Sequence, residues 1–203
     1  MADQGCMSGV IKDILTARTR KRIQNKKKTY KHASVLIPLL MEDGACRVVF
    51  TERTHKVEHH KGQISFPGGG VDETDPSFEA TAIREAHEEI GLLPEDVEIL
   101  GRLDDTLTLV SNYVVHPVVG RIKPKTDFVV NPHEVERIIR VPLEVFLRAG
   151  AGDRDHWVEY EGVKYRTAAY QYKADLIWGA TARIMEKFVE IIGPNLPLHS
   201  EKQ

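Results

Sequence analysis

A helix that marks both of its own ends most constrains what this chain can fold into. In DPSFEATAIREAHEEIG, residues 75 to 91, Asp75 can cap free backbone N–H groups and Pro76 suits the first helical position. Gly91 stands where glycine ends a helix. With side chains advancing about 100° per residue, Phe78, Ala82, Ile83, Ala86 and Ile90 fall on one side, so this helix must lie against an apolar surface.

The flanking sequence supplies that surface as strands. ASVLIPLL (33 to 40) and CRVVFTER (46 to 53) are β-branched runs joined by a short turn over Met41 to Ala45. The glycine-rich FPGGGVDETD then breaks the periodicity before the helix. Beyond it, residues 97 to 103, 106 to 110, 113 to 122, 135 to 143, 156 to 162 and 164 to 172 read as strands. A closing amphipathic helix covers 177 to 192, and a short N-terminal helix lies within 8 to 24. The expected class is an α+β or α/β sandwich with helices packed on a mixed sheet. The stretch 123 to 134, KPKTDFVVNPHE, is long enough for an irregular segment to expect a functional loop.

With 203 residues, 41% hydrophobic and 29% charged, the chain suits one domain, read as 31 to 195, between an N-terminal helical and basic extension (1 to 30) and a tail (196 to 203). No apolar run is long enough to span a bilayer, the N-terminus lacks a secretory pattern, and SEKQ is no address signal, so a cytoplasmic protein is expected. Cys6 and Cys46 make no disulfide or metal framework and read as a tail residue and a small core residue, in keeping with a reducing compartment. Net charge is −2, so nucleic acid is not an expected partner, although RTRKRIQNKKK (18 to 28) is locally basic. With no interleaved aromatic residue to stack on bases, that run reads as a solvated segment.

Thr81, Glu85, Glu88 and Glu89 occupy the sector of the helix beside its buried face. Carboxylates three and four residues apart repel one another. A solvated acidic face is one reading; a hard divalent cation such as Mg²⁺ or Mn²⁺, bound by oxygen ligands, is the other. Context favours the cation, because Gly68, Gly69 and Gly70 just upstream could bring backbone N–H groups to phosphate oxygens. Together these features point to phosphoryl chemistry.

The run GGVDETDPSFEATAIREAHEEIGL, Gly69 to Leu92, resembles the Nudix box of the Nudix hydrolases. Its REAHEEIGL half matches each specified position, with Ala86 as the aliphatic residue, while Asp75 stands where the general pattern has Glu, with eight rather than seven residues between it and Arg84. That departure, together with VVFTERTHKVEHHKGQISFPGG (48 to 69), is similar to the coenzyme A pyrophosphatase branch. The second signature falls on Thr51, Arg53, Thr54, His60, Gly62, Gln63, Phe66, Pro67, Gly68 and Gly69, and the whole resemblance covers roughly residues 30 to 190.

The resemblance implies a Nudix α/β/α sandwich with a mixed sheet flanked by helices. It implies hydrolysis of a nucleoside diphosphate linked to another moiety by a metal-activated water, with Mg²⁺ or Mn²⁺ on Glu85 and Glu89 and Glu88 as a further ligand or base. Arg84 would anchor the carboxylates, and Glu134 would serve as general base or extra ligand, with Asp104 and Asp105 behind it. Arg53, His60, Lys61, Gln63 and Gly68 to Gly70 would meet substrate; His116 reads as a phosphate donor or a structural histidine. The expected reaction splits coenzyme A or its thioesters into 4′-phosphopantetheine and adenosine 3′,5′-bisphosphate. Two rivals stay open: the same chemistry on ADP-ribose, a dinucleotide or a nucleoside triphosphate, and a non-catalytic nucleotide- or RNA-binding module. A homodimer is also open.

Overall fold

The computed structural model describes residues 6–24, 29–54, 62–108, 112–149, 153–160 and 162–196. Its main sheet grows from β1 (Lys31–Glu42) and β2 (Ala45–Arg53), an antiparallel hairpin whose turn is tighter than the expected five residues. Asp43 and Gly44 alone make it, both with positive φ (50° and 76°), the geometry that matches strand twist in two-residue hairpins. β3 (Ile64–Ser65) pairs with β2, and β4 (Gly68–Gly70) pairs with β1. β5 (Val97–Arg102) and β6 (Thr106–Leu107) both pair with β7 (Tyr113–Ile122), which runs parallel to β1. β8 (Val135–Pro142) completes the sheet on β2. One parallel pair among antiparallel ones makes the sheet mixed, as expected.

Strand alternation sends side chains to two cores. Leu36 and Leu40 of β1, Val49 of β2, and Val118 and Ile122 of β7 pack beneath α2 (Phe78–Ile90) with Ala82, Ala86 and Ile90. On the opposite face, Ile37, Leu39, Val48, Phe50 and Val119 pack with Ile11 and Leu15 of α1 (Ser8–Ala17). Phe146 of α3 (Leu143–Ala149) and Phe188 of α4 (Gly179–Ile192) join them. The result is an α/β/α sandwich. A smaller sheet of β9 (Asp153–Tyr160), β10 (Val163–Tyr172) and β11 (Asp175–Trp178) is fastened to this core where the Tyr170 ring meets the edge of Phe146, 5.0 Å between centroids. No helix among the described residues is long and apolar enough to cross a membrane.

Several expectations change. The helix begins at Phe78 rather than at Pro76, because Ser77 is its cap and accepts from the Ala80 N–H at 3.1 Å. The glycine tract is a strand, not an irregular loop. α3 and β11 were not foreseen, and α1 is part of the core rather than an appendage. Cys6 and Cys46, read as separate residues, are paired as a disulfide with 4.9 Å between their Cα atoms, tying the start of α1 to β2. That pairing removes the sequence argument for a reducing compartment.

Candidate active site

The acidic edge of α2 is organised by an arginine that the helix itself carries. Arg84 grips Asp75 with a two-pronged contact, Nε to Oδ1 at 3.0 Å and Nη2 to Oδ2 at 2.9 Å. Thr81 Oγ1 and the Asp72 N–H also donate to that carboxylate, each at 2.9 Å. The Asp75 carboxyl is therefore held well below the usual range, chiefly by Arg84, and is unavailable as a helix cap. The same guanidinium donates to Glu85 Oε1 at 2.8 Å and to the Gly70 carbonyl at 3.1 Å, and it approaches Glu88 at 3.3 Å. Arg84 thus joins the strand before the helix to the carboxylates on it.

Glu85 and Glu89 lie inward, their side chains 15% and 2% exposed, whereas Glu88 is 51% exposed at the rim. Glycine at position 69 makes room for this: an added Cβ would sit 2.3 Å from Glu85 Oε2. The Gly68 backbone lies toward the Glu89 carboxylate and weakly favours its charged form. Arg53, at the end of β2, reaches Glu89 Oε1 at a loose 3.4 Å, while Glu89 Oε2 is buried with no hydrogen-bond partner among the described residues. Burial, opposed by Arg53 and reinforced by Glu134 and Glu85, pushes the Glu89 carboxyl up to about 8. Burial likewise raises Glu85.

The loop 123–134 closes the far end of α2. Val129 N–H donates to the Ile90 carbonyl at 2.9 Å and Asn131 N–H to the Glu89 carbonyl at 2.8 Å, satisfying helix-end acceptors that would otherwise be free. The chain then turns so that Glu134 receives the Thr54 N–H on its carbonyl at 2.9 Å and the Asn131 amide on Oε1 at 3.3 Å. This puts the Glu134 carboxylate within electrostatic reach of both Glu85 and Glu89.

Arg84, Glu85, Glu89, Glu134, Arg53 and Gly68 to Gly70 are thus gathered in one place, with Glu88 beside them. Gln63 is nearby through its backbone, its carbonyl accepting from the Arg53 N–H at 3.0 Å. His60 and Lys61 lie outside the described residues. Asp104 and Asp105 are directed to the segment after α1 instead: Asp104 binds Arg18 and the Lys21 N–H, and Asp105 binds the Ile23 N–H. His116 is structural, bridging Asp105 and His32 at 2.9 Å each while its ring stacks on Phe78. Sequence reasoning gave Asp75 a helix-capping role rather than a tie to Arg84 and did not single out Asn131; an acid nine residues ahead of Arg84 was the available signal for the first.

Among the described residues, no three His, Cys, Asp or Glu side chains already converge as a metal-holding group. The donor set nevertheless fits a hard divalent cation: two mostly buried carboxylates, a third within electrostatic reach, and one carboxylate oxygen with nothing to bond. A mixed sheet between helices, with a carboxylate-bearing helix following a glycine strand, defines the architecture of a Nudix hydrolase. The family model described as NUDIX domain matches residues 30–161, and the chain belongs to that family. A relative from Photorhabdus laumondii, "Uncharacterized Nudix hydrolase NudL", is 35% identical over 79% of this chain and 84% of its own. "Nudix hydrolase 15, mitochondrial" of Arabidopsis thaliana is 36% identical over 85% of this chain and 62% of its own. In fold, the chain is similar to a MutT/nudix family protein from Enterococcus faecalis, with TM-score 0.54 over 93% of this chain and 70% of that one, at 14% identity. The activity class is hydrolysis of a nucleoside diphosphate linked to another moiety, with a divalent metal cation as cofactor.

Proposed function

We propose that this chain is a Mg²⁺- or Mn²⁺-dependent pyrophosphatase that splits coenzyme A or its thioesters into 4′-phosphopantetheine and adenosine 3′,5′-bisphosphate. The observation that carries the cation reading is Glu89, a buried carboxylate with one oxygen unbonded among the described residues, beside Glu85 and Glu134. Glu85 and Glu89 would hold the cation, and Glu88, at the rim, would serve as a further ligand or base. When bound, a divalent cation supplies activation of the attacking water and neutralises charge developing on the diphosphate. Glu134 is the general base that takes the proton of the attacking water as the P–O anhydride bond breaks. Arg84 keeps Glu85 in place, and Arg53 and Gln63 border the site where the rest of the substrate enters.

Coenzyme A is favoured over other nucleoside diphosphate derivatives by the second signature, 48 to 69, which ends at Gly68 and Gly69 against the glutamates. Purified protein assayed with coenzyme A, dephospho-coenzyme A and ADP-ribose, with and without Mg²⁺ or Mn²⁺, tests this directly. Coenzyme A should give the highest kcat/KM. Much faster cleavage of the other two would move the assignment to another diphosphate, and activity undiminished in Glu89→Gln would remove the proposed site.

A further inference from the structure

The basic stretch after α1 has no part in the carboxylate site, yet it is held firmly. Asp104 accepts from the Lys21 N–H at 3.0 Å and from Arg18; Asp105 accepts from the Ile23 N–H at 2.9 Å and returns its own N–H to the Lys21 carbonyl at 3.1 Å. Two consecutive acids thereby fix an irregular, arginine-rich segment whose ordering costs conformational entropy. The ordering leaves two guanidinium donors unmet. Among the described residues, Arg20 Nε and Arg18 Nη1 are buried atoms without hydrogen-bond partners, and buried donors on cations are among the costliest to leave unmade.

Arg102 faces the same place from the end of β5, fixed by Glu79 at 3.2 Å and by the Phe78 ring 5.2 Å beneath its guanidinium. Burial first, and then the charges of Arg102 and Arg22, make Arg20 harder to keep protonated. The acids in range are Asp105 and Glu79, but Asp105 is committed to Ile23 and His116, and Glu79 to Arg102. We propose that Arg20 and Arg102, with Arg22 adding charge, form a second anion site, apart from the glutamate cluster, for a phosphate group. The planar donor fork of a guanidinium fits phosphate oxygens, and the unbonded Arg20 Nε is a donor of the required kind. A ligand there would press on Phe78 and Glu79, the first turn of the helix that carries Glu85 and Glu89.

Inorganic phosphate is the probe, titrated into metal-free full-length protein at constant ionic strength with chloride as the control. The melting temperature should rise with phosphate in the wild type and equally in Glu85→Gln/Glu89→Gln, which separates this site from the catalytic one. In Arg20→Gln the phosphate Kd should weaken by about tenfold, and by a similar factor in Arg102→Gln. Arg20 is the cleaner variant, since Arg102 also holds Glu79. Two sources of phosphate are then told apart by kinetics. If Arg20→Gln raises KM for coenzyme A but not for dephospho-coenzyme A, the site takes a phosphomonoester of the substrate. If neither KM changes while phosphate protection is lost, it takes free phosphate. No protection in the wild type, protection removed by the glutamate variants, or protection undiminished in Arg20→Gln each overturns the proposal.

Discussion

Gly69→Ala should separate catalysis from folding. The Cβ it adds would lie 2.3 Å from Glu85 Oε2, 2.5 Å from Cδ and 2.7 Å from Oε1, where ordinary contact begins at 3.4 Å. The Glu85 oxygen must therefore retreat by about 1 Å, and with it the 2.8 Å bond from Arg84. The backbone at position 69 is ordinary strand and the obstructing atoms end a flexible side chain, so the fold can yield. Loosening one partly exposed charge-assisted hydrogen bond costs about 1 kcal/mol, a drop of roughly 2 to 4 °C in melting temperature for a chain of this size. A 1 Å misplacement of a catalytic group, by contrast, costs on the order of 10²-fold in rate. Gly68→Ala is the control: there the added Cβ meets the Ser34 carbonyl at 2.4 Å, at φ +156°, so the sheet must give instead. Kinetics at saturating cation on whichever diphosphate the wild type cleaves best, with a thermal melt beside them, check both variants. A Gly69→Ala protein with full kcat and unchanged metal dependence would refute the placement of Glu85 in the reaction.

Three further outcomes are expected. Mg²⁺ at about 100 times its Kd should stabilise the wild type by roughly 2.7 kcal/mol; an undiminished effect in Glu85→Gln/Glu89→Gln means that the cation binds elsewhere. In metal-free protein, the Glu89 carboxyl is raised from 4.5 to about 8, so the folded state retains a proton that the unfolded chain releases. Its contribution is complete below pH 4.5 and is lost as pH rises toward 8, by up to roughly 4 kcal/mol, whereas Glu89→Gln should show none of that slope in urea titrations with chelator. Asp75 shows the opposite sign: its carboxyl is depressed, so its contribution is present above the ordinary value of 3.8 and is lost as pH falls below it. Asp75→Asn should also weaken cation binding by about tenfold, measured by calorimetry, by releasing Arg84; unaltered affinity would leave Asp75 a purely structural role.

Much of the sheet was legible because its signals are local. β7 falls at Tyr113–Ile122, the run foreseen from its β-branched residues, and Gly91 ends α2 with φ 66°. Errors came where one residue served a distant partner. Asp75 looked like a cap because it precedes proline, but its carboxylate is taken by Arg84, so Ser77 caps instead. The glycines looked like a loop because glycine usually interrupts strands; here the missing Cβ of Gly69 lets a strand lie against Glu85. Cys6 and Cys46 stand 40 residues apart, and only the packing of α1 brings them together. β11 was hidden because Ile177 and Trp178 continue the apolar pattern of α4 without a break.

The three glutamates of REAHEEIG ask what offsets their repulsion, and the arrangement around them gives a partial answer. Two guanidiniums serve five carboxylates: Arg84 bonds Asp75, Glu85 and Glu88, Arg53 leans on Glu89, and Glu134 adds a further charge. Fully ionised, that group would hold three uncompensated negative charges, with the side chains of Asp75, Glu85 and Glu89 mostly buried. The metal-free protein limits the excess by keeping Glu89 protonated, since its carboxyl is pushed up to about 8. A divalent cation supplies two positive charges at the place where the proton sits, so cation and proton compete for Glu89. Binding of Mg²⁺ near pH 7 should therefore release close to one proton, and the apparent Kd should tighten as pH rises toward 8. Calorimetry in buffers of different ionisation enthalpy reads that proton directly, and binding without release would show that the cation does not reach Glu89.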